Sequence, residues 1–463
     1  MKSLEDFLAD VSGFVWGPWL LIPLLLLTGL YLTVLLRGLQ VRHLRLAFWL
    51  AFFKRSDGGA EGDISHYQAL ATALAATVGV GNIAGVATAI ALGGPGAVFW
   101  MWITGMLGMA TKYSEAFLGV RFRRTDAAGE QSGGPMHYLR NGIKGPLGIF
   151  LGGFFAIAGA FAAFGIGNMT QANTVAANVH DEWGVPTWVT GIIITAFAAA
   201  TILGGIKNIG RVASAFVPMM IVLYVVGAAG VLAFNIGEVP AAIGLIFTDA
   251  FTGTAATGGF AGAAVAAAIR YGVARGIFSN ESGLGTGGIV AAAAKSSHPV
   301  RQALVSMTQT FIDTLVVVSF TALTIVVTGV WKEAGEEDAA KFTARAFDEG
   351  LPGDWGSVIV TVSVIFFAFS TVLGWSYYGE RCVEYLFGRK AVLPYRLLFI
   401  VVVYIGSTTT LTAVWTFSDV MNGLMALPNL IGLLILSPLV YRETRAYFRR
   451  EPTTDEPATA GKQ

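Results

Sequence analysis

The chain has few charged residues and almost no cysteine. Only 13% of its 463 residues are charged, and 30 basic against 29 acidic residues leave a formal net charge of +1. This balance lacks the basic footprint of a nucleic-acid-binding protein, so we expect no nucleic-acid partner. The single cysteine, Cys382, excludes an intrachain disulfide. The five histidines lack the spacing of metal ligands, so no zinc site is expected.

Apolar residues and glycine are abundant instead: 54% of the chain is hydrophobic, and 58 residues are glycine. This composition is typical of a membrane protein with many helices and not of a soluble domain. Apolar stretches of about 20 residues are long enough to cross a bilayer as helices. We predict an all-α polytopic membrane protein with eleven transmembrane helices in a lipid bilayer. The predicted spans are residues 14–36, 67–92, 95–120, 147–178, 187–205, 212–235, 262–293, 302–330, 355–381, 394–415 and 418–441.

Lysines and arginines between these spans are strongly biased to one side. If the N-terminus is outside, the cytoplasmic connections hold 23 of them, and the outer side holds only Lys2, Lys332, Lys341 and Arg345. By the positive-inside rule, this bias orients the chain. We therefore expect a multi-pass protein of the cell membrane with its N-terminus outside and its C-terminus in the cytoplasm.

Two predicted spans are interrupted by residues that suit a continuous helix poorly. The second contains residues 77–85 (TVGVGNIAG), and the seventh contains residues 278–288 (FSNESGLGTGG). Unpaired backbone groups cost several kcal/mol in hydrocarbon, so such breaks persist only where they line a polar cavity. A pair of glycine-broken spans in corresponding halves is typical of the central site of a secondary transporter.

The breaks also divide the chain into parts. Without the first span, ten spans fall into five plus five, and an odd number per half gives the halves opposite topology, which makes an inverted repeat. We expect an external lid within residues 237–262 and an external helical cap within residues 331–354. The predicted parts are a leading helix with a basic linker (1–66), a first five-helix repeat (67–235), a lid segment with the second repeat (236–446) and a polar cytoplasmic tail (447–463).

Several sequence blocks resemble those of a known family. They are residues 93–103 (GGPGAVFWMWI), 112–115 (KYSE), 133–138 (GGPMHY) and 280–285 (NESGLG). Together they resemble the alanine/glycine:cation symporters, also called sodium:alanine symporters, over nearly the whole chain. The resemblance implies a LeuT-type 5+5 inverted repeat in which core helices 1 and 6 are broken, with an extra N-terminal helix. Gly85 stands where broader relatives often carry an arginine, so their external charged gate is not expected here.

The two breaks offer the groups that a zwitterionic amino acid needs. Backbone N–H groups in the first break suit its carboxylate, because the N-terminus of a half-helix is positive. Carbonyl and side-chain acceptors in the second break suit its ammonium group. The predicted substrate-binding residues are Thr77, Gly79, Gly81, Asn82, Gln171, Ser279, Asn280, Glu281, Gly283, Thr371 and Trp375.

Three of these residues, Gln171, Thr371 and Trp375, come from other spans. Gln171 is the member of a polar cluster, residues 168–174, that we expect to face the site. Trp375 lies four residues after Thr371 and shares its helix face. Its indole is either a wall that limits the size of the substrate side chain or a group packed between helices, and both interpretations stay open.

The resemblance also implies a sodium site between the first broken helix and a later span. Carbonyl oxygens face hydroxyl groups there and form a small cage of hard ligands. By residue chemistry alone, serine and threonine at membrane depth more often bond a carbonyl of their own helix. The implied Na⁺ ligands are Ala75, Val78, Phe367, Ser370 and Thr371.

Ionisable side chains inside predicted spans are functional candidates, because charge at membrane depth is costly. Asp313 is a cation ligand, a proton carrier or the partner of Arg275, and the sequence does not choose among these. Glu115 is interpreted as a structural ion pair with Lys112, three residues earlier. Glu281 either polarises the amine site or bonds the first break.

These features predict sodium-coupled symport of small neutral amino acids by alternating access. Alanine and glycine are the expected substrates, and D-alanine is a further candidate. A proton-coupled amino-acid carrier of the same fold is the alternative. We expect no enzymatic activity, since neither His-x-x-Glu-His nor Gly-x-Ser-x-Gly occurs. Na⁺ is the expected coupling ion, with no organic cofactor and no obligate protein partner.

Overall fold

The computed structural model of the protein describes residues 4–17, 19–55, 57–252, 261–332, 341–353, 355–409 and 412–450. Within these ranges the chain is almost entirely helical. The one pair of strands in the described ranges is an antiparallel hairpin of β1 (Arg124–Thr125) and β2 (Gln131–Ser132). The predicted all-α class is confirmed.

Four helices precede the first broken helix: α1 (Leu4–Val15), α2 (Leu21–Leu35), α3 (Leu39–Arg42) and α4 (Leu44–Phe52). α2 is uncharged, and the chain turns directly from it into α3. Arg37 and Gly38 make this turn with φ angles of 57° and 64°. The basic side chains of Arg37 and Arg42 therefore follow directly after the apolar helix.

The first broken helix consists of α5 (His66–Thr77) and α6 (Ala84–Gly93). It begins with a capping box, because the hydroxyl of Ser65 accepts from the N–H of Gln68 at 3.1 Å, and the Gln68 side chain accepts from the N–H of Ser65 at 3.0 Å. Between its halves the chain makes one 3₁₀ turn, Val80–Asn82. The predicted interruption of the second span is present.

Seven helices connect the two broken helices: α7 (Gly96–Arg121), α8 (Pro135–Gly142), α9 (Pro146–Phe164), α10 (Thr170–Trp183), α11 (Thr187–Ile202), α12 (Gly205–Phe234) and α13 (Val239–Thr252). α9 continues into α10 through a π-helical turn, Gly165–Met169. α7 lies so close to the second broken helix that a side chain on Gly119 would overlap the backbone of Gly288. Small residues allow this approach of two helix backbones.

The second broken helix consists of α14 (Ala261–Asn280) and α15 (Thr286–Ala292). The chain between them has positive φ angles at Glu281 (56°), Gly283 (98°) and Gly285 (89°). Glycine adopts such angles at little cost, whereas a non-glycine residue loses of order 1 kcal/mol or more. Contacts from neighbouring helices must therefore hold Glu281 in place.

Six helices complete the described chain: α16 (Pro299–Thr310), α17 (Ser319–Thr328), α18 (Phe342–Gly350), α19 (Gly356–Phe387), α20 (Val392–Thr408) and α21 (Thr412–Arg450). α16 continues into α17 through a second π-helical segment, Phe311–Val318. Cys382 of α19 is 1% exposed and packs against Gly159 of α9.

Three predicted segments are only partly covered by the structure. α13 lies within the predicted lid and α18 within the predicted cap, and α21 makes residues 447–450 of the predicted tail helical. Residues 253–260, 333–340, 354 and 451–463 of these predicted segments lie outside the described residues.

Six helices in the described ranges are long and apolar enough to cross a membrane, counted through their π-helical turns: Pro146–Trp183, Gly205–Phe234, Pro299–Thr328, Gly356–Phe387, Arg389–Thr408 and Val414–Arg449. The other five predicted spans correspond to the two broken helices, to α2 and α11 with 15 and 16 residues, and to α7. The structure thus supports a membrane protein, and eleven crossings remain a prediction.

Candidate functional site

Asn82 holds the first break in shape. Its amide oxygen accepts from the N–H of Gly79 at 2.9 Å, and its amide nitrogen donates to Oδ1 of Asp313 at 2.8 Å. Asn82 is fully buried, so both bonds are made away from solvent. The N–H of Gly79, which we predicted would meet a substrate carboxylate, is already bonded within the break.

Asp313 joins the two breaks. Besides the bond from Asn82, its Oδ2 accepts from the hydroxyls of Ser279 at 2.9 Å and Thr314 at 2.8 Å. It lies in the π-helical segment after α16, and such segments occur often at functional sites. Among the described contacts Asp313 does not pair with Arg275, which lines a cavity elsewhere.

Gln309 is a second bridge between the breaks, and its role was not predicted from the sequence. Its amide nitrogen donates to the hydroxyl of Thr77 at 2.9 Å and to the carbonyl of Asn280 at 3.3 Å. Asn280 in turn donates from its side chain to the hydroxyl of Thr314 at 3.1 Å. A buried glutamine four residues before Asp313 on one helix was the available indication, since both lie on one face.

Gly79, Gln171 and Thr371 meet at the first break and form what we call the central cluster. A Cβ on Gly79 would overlap the hydroxyl of Thr371 and lie 3.5 Å from Oε1 of Gln171. Gln171 donates to the carbonyl of Ile166 at 2.9 Å, whereas its buried Oε1 has no hydrogen-bond partner in the described part of the chain. The central cluster therefore contains an acceptor that a ligand can use.

Trp375 lies one turn further along α19 and is almost fully buried. Its side chain packs against Gly167 in the π-helical turn after α9, where a Cβ would overlap it. This packing fits both predicted roles, the wall of a substrate pocket and a packed indole.

Phe278 covers the first break from the side of α14 and was not predicted as a site residue. A Cβ on Gly81 would lie 3.0 Å from Cδ1 of Phe278. Next to Phe278 is a cavity of about 280 Å³ whose lining includes Arg275 and Asp419. The guanidinium of Arg275 lies 5.7 Å from the centre of the Phe278 ring. Phe278 thus separates a charged cavity from the break.

The residues implied as Na⁺ ligands converge between α5 and α19. The hydroxyl of Ser370 lies 3.0 Å from the carbonyl oxygen of Ala75, 3.5 Å from that of Val78 and 2.8 Å from that of Phe367. The hydroxyl of Thr371 lies 3.0 Å from the Phe367 carbonyl. Both hydroxyls bond their own helix, as residue chemistry alone predicted, but Ser370 also reaches the broken helix. Two hydroxyl and three carbonyl oxygens fit the hard ligands that a sodium ion needs.

Glu115 holds the second break. Its Oε1 accepts from the N–H groups of Gly283 at 2.8 Å and Gly285 at 3.0 Å, and from the side-chain amide of Asn429 at 2.8 Å. Lys112 lies 3.9 Å from Glu115 Oε2 and donates to the carbonyl of Glu281 at 3.1 Å. The predicted ion pair between Lys112 and Glu115 is therefore present. The larger contribution of these two residues is to form hydrogen bonds with backbone groups that have no partner within the broken helix.

Two predicted substrate residues face other groups. The carboxylate of Glu281 accepts from the hydroxyl of Thr286 at 2.7 Å, within its own broken helix. Gly283 uses its carbonyl to accept from Asn429 at 2.8 Å, and a Cβ on it would overlap Leu25 of α2. The structure brings Gly283 to the leading helix and not to the central cluster.

The family model and the sequence relatives indicate one family. The model of the sodium:alanine symporter family matches residues 1–460. The sodium/alanine symporter AgcS of Methanococcus maripaludis is 53% identical over 94% of this chain and 96% of its own. A putative sodium/proton-dependent alanine carrier protein, YrbD of Bacillus subtilis, is 36% identical over 97% and 93%. A crystal structure of a mutant manganese transporter of Eremococcus coleocola has a TM-score of 0.47 at 14% identity and covers 80% of this chain and 77% of its own.

Proposed function

Because the chain belongs to the sodium:alanine symporter family, we propose that it imports small neutral amino acids together with Na⁺ by alternating access. Alanine and glycine are the proposed substrates, with D-alanine a further candidate. The family supports transport, a membrane context and Na⁺ as the coupling ion. The printed name of the Methanococcus relative supports alanine in particular. We propose no enzymatic step, no organic cofactor and no obligate protein partner.

The contact between Ser370 and the first broken helix is the main structural support for this proposal. The hydroxyl of Ser370 reaches two carbonyl oxygens of the first broken helix, Ala75 and Val78, directly beside the central cluster. An ion held by these oxygens would fix α19 against the broken helix. Because Thr371 approaches both the Phe367 carbonyl and Gly79, it would contact the ion site and the substrate site. Each ligand would then favour the arrangement that binds the other, which is the coupling that symport requires.

The substrate roles follow from the central cluster. The unpaired Oε1 of Gln171 is an acceptor for the ammonium group. The carboxylate would approach the backbone around Gly81, since the N–H of Gly79 is held by Asn82. Entry of one Na⁺ down a potential of 100 mV supplies about 2.3 kcal/mol to drive this binding and release.

We also propose the finer architecture that the sequence predicts: eleven crossings, a LeuT-type inverted repeat and an N-terminus outside the cell membrane. Hydrogen bonds through Asp313 and Gln309 connect the two broken helices, and this connection supports the paired arrangement. The bias of basic residues supports the orientation.

The proton-coupled alternative has less support. Both oxygens of Asp313 already accept hydrogen bonds from Asn82, Ser279 and Thr314. These three donors use three of the roughly four acceptor positions of the carboxylate and favour its ionised form, so Asp313 is less suited to carry a proton than a carboxyl without such donors.

Uptake by purified protein in liposomes tests the function. Labelled alanine should accumulate when a sodium gradient is imposed, and replacing external sodium by choline at fixed pH should abolish accumulation. Excess glycine should compete, whereas leucine, lysine and glutamate should not. Accumulation driven equally well by a proton gradient in choline would establish the alternative.

A further inference from the structure

A strongly basic cavity, which includes no residue of the central cluster, lies where the end of α2 and α3 meet the end of α21. Its volume is about 350 Å³, and four arginines line it: Arg37, Arg42, Arg445 and Arg449. His43 and Phe448 form one wall, since their rings stack with centroids 4.1 Å apart. We call this the basic cavity.

Its described lining contains no carboxylate. The acidic residue of α21 next to it, Glu443, forms an ion pair with Arg121 of α7 at 3.2 Å. Four positive charges around one cavity repel each other, so an anion inside it would lower the energy of the folded protein. Guanidinium groups suit a phosphate in particular, because they present paired donors in a fixed fork.

The backbone fixes part of this cavity before any ligand arrives. Arg37 has a φ of 57°, a conformation that is unfavourable for a residue with a side chain. The N–H of Gly38 donates to the carbonyl of Thr33 at 2.8 Å, and that of Arg37 donates to Val34 at 3.0 Å. These hydrogen bonds terminate α2 and place Arg37 on the side of the helix where Arg445 lies.

The basic cavity sits where two apolar helices end. α2 has no charged residue up to Leu35, and α21 has none between Asp419 and Arg442. The two helices are joined one to two turns earlier by a hydrogen bond between the hydroxyls of Tyr31 and Ser437 at 3.1 Å. Charges that follow directly after apolar spans lie at the level of lipid headgroups.

Apolar side chains on the same helices point outward just inside this level. Val34 and Leu30 of α2 are 68% and 48% exposed, and Ile435 of α21 is 48% exposed. In a bilayer such side chains contact acyl chains. A phosphate in the basic cavity therefore has a lipid-facing surface directly beside it.

We propose that the basic cavity binds the phosphodiester group of an anionic phospholipid, with the acyl chains lying along α2 and α21. Basic pockets between transmembrane helices at the headgroup level are suited to such lipids. The bound lipid would hold the leading helix against α21. This site is separate from the proposed transport site and does not depend on its substrate.

The test uses the whole chain, purified in detergent and examined by native mass spectrometry with added phosphatidylglycerol, phosphatidylcholine or inorganic phosphate. The double variant Arg42→Gln/Arg445→Gln removes two cavity arginines. Its matched control is Arg45→Gln/Arg442→Gln, which changes the same charge three residues away on neighbouring turns but outside the lining. The variant Arg42→Lys/Arg445→Lys keeps both positive charges but lacks the planar guanidinium groups with their paired donors.

Phosphatidylglycerol should remain bound to the unchanged protein and to the control, and should bind the cavity variant roughly thirtyfold more weakly, at about 1 kcal/mol per arginine. The lysine variant should bind with intermediate affinity. Equal binding by the cavity variant and the control would overturn the proposal. So would equal binding of phosphatidylcholine, or displacement of the lipid by millimolar inorganic phosphate, which would indicate a site for free phosphate. Alanine uptake by each variant shows that it is folded.

Discussion

Gly79 and Gly81 leave no room for a side chain at the first break. A methyl group on Gly79 would overlap the hydroxyl of Thr371, and one on Gly81 would lie 3.0 Å from Phe278. Gly79→Ala and Gly81→Ala should therefore each weaken alanine binding by about tenfold or more, since overpacking costs about 1–3 kcal/mol. Equilibrium binding of labelled alanine to purified protein measures this.

Gly85 is the control for this prediction. It belongs to the same broken helix, and no atom lies within 4 Å of a Cβ built on it. Gly85→Ala should bind alanine like the unchanged protein. If all three variants bind equally, the substrate site lies away from the first break.

Ser370 is the residue that most directly tests the cation site. Its hydroxyl lies close to three carbonyl oxygens, whereas the hydroxyl of Ser363 on the same helix bonds one carbonyl in the described part of the chain, that of Ile359 at 2.7 Å. Ser370→Ala should raise the sodium concentration for half-maximal uptake by roughly tenfold, which corresponds to about 1.4 kcal/mol. Ser363→Ala should leave it unchanged. An unaltered sodium dependence in Ser370→Ala would remove this hydroxyl from the ligand set.

At the scale of elements, the second break depends on a side chain from another helix. Glu115→Ala would leave the N–H groups of Gly283 and Gly285 and the amide of Asn429 without their acceptor. Each unsatisfied buried donor costs about 1–3 kcal/mol, so the melting temperature should fall clearly. Glu115→Gln keeps an acceptor oxygen, so its melting temperature should fall less than that of Glu115→Ala. If Glu115→Ala melts at the same temperature as the unchanged protein, Glu115 does not hold the second break.

The connector before α5 is tied to α16 through Asp57. Its Oδ2 lies 3.1 Å from Nε of Arg301 and accepts from the N–H and hydroxyl of Ser297 at 2.9 and 2.7 Å. Burial alone would raise the pKa of Asp57, but the hydrogen bonds from His66 and Ser297 and the charge of Arg301 outweigh it and hold this pKa well below its usual range. The protonated form is therefore disfavoured in the folded protein.

This pKa shift predicts how stability depends on pH. A carboxyl with a lowered pKa stabilises the fold above its unfolded pKa of about 4, and this contribution is lost as the pH falls below that value. Asp57→Asn should lower the melting temperature at pH 7. Between pH 4 and pH 2 its melting temperature should fall less than that of the unchanged protein. Glu61→Gln, in the same connector, should keep the pH dependence of the unchanged protein. Identical pH profiles for both variants would show that Asp57 contributes nothing to acid sensitivity.

For the molecule as a whole, the sequence predicted the helical class and both breaks because glycine and asparagine in apolar spans are visible without a structure. The resemblance to a family also predicted that the Ser370 hydroxyl lies beside the carbonyl oxygens of Ala75 and Val78, as the structure shows, whereas a sodium ion at this place stays a prediction. It did not single out Gln309 and Phe278, because their contacts with the breaks depend on which helices pack together. A substrate role for Gly283 stays a prediction, and the structure shows it in contact with Asn429 and Leu25. The contact between Gly283 and Leu25 exists only once α2 is in position.

The burial of Cys382 has a practical consequence for the topology of the chain. A thiol that is 1% exposed does not meet reagents in water, so the natural chain gives no background in maleimide labelling. Cysteines introduced singly at the exposed positions Glu238 and Ala128 then report the side on which each lies. With an impermeant maleimide on intact cells, the proposed orientation predicts labelling of Glu238→Cys and protection of Ala128→Cys. The reverse pattern would show that the chain has the opposite orientation in the membrane.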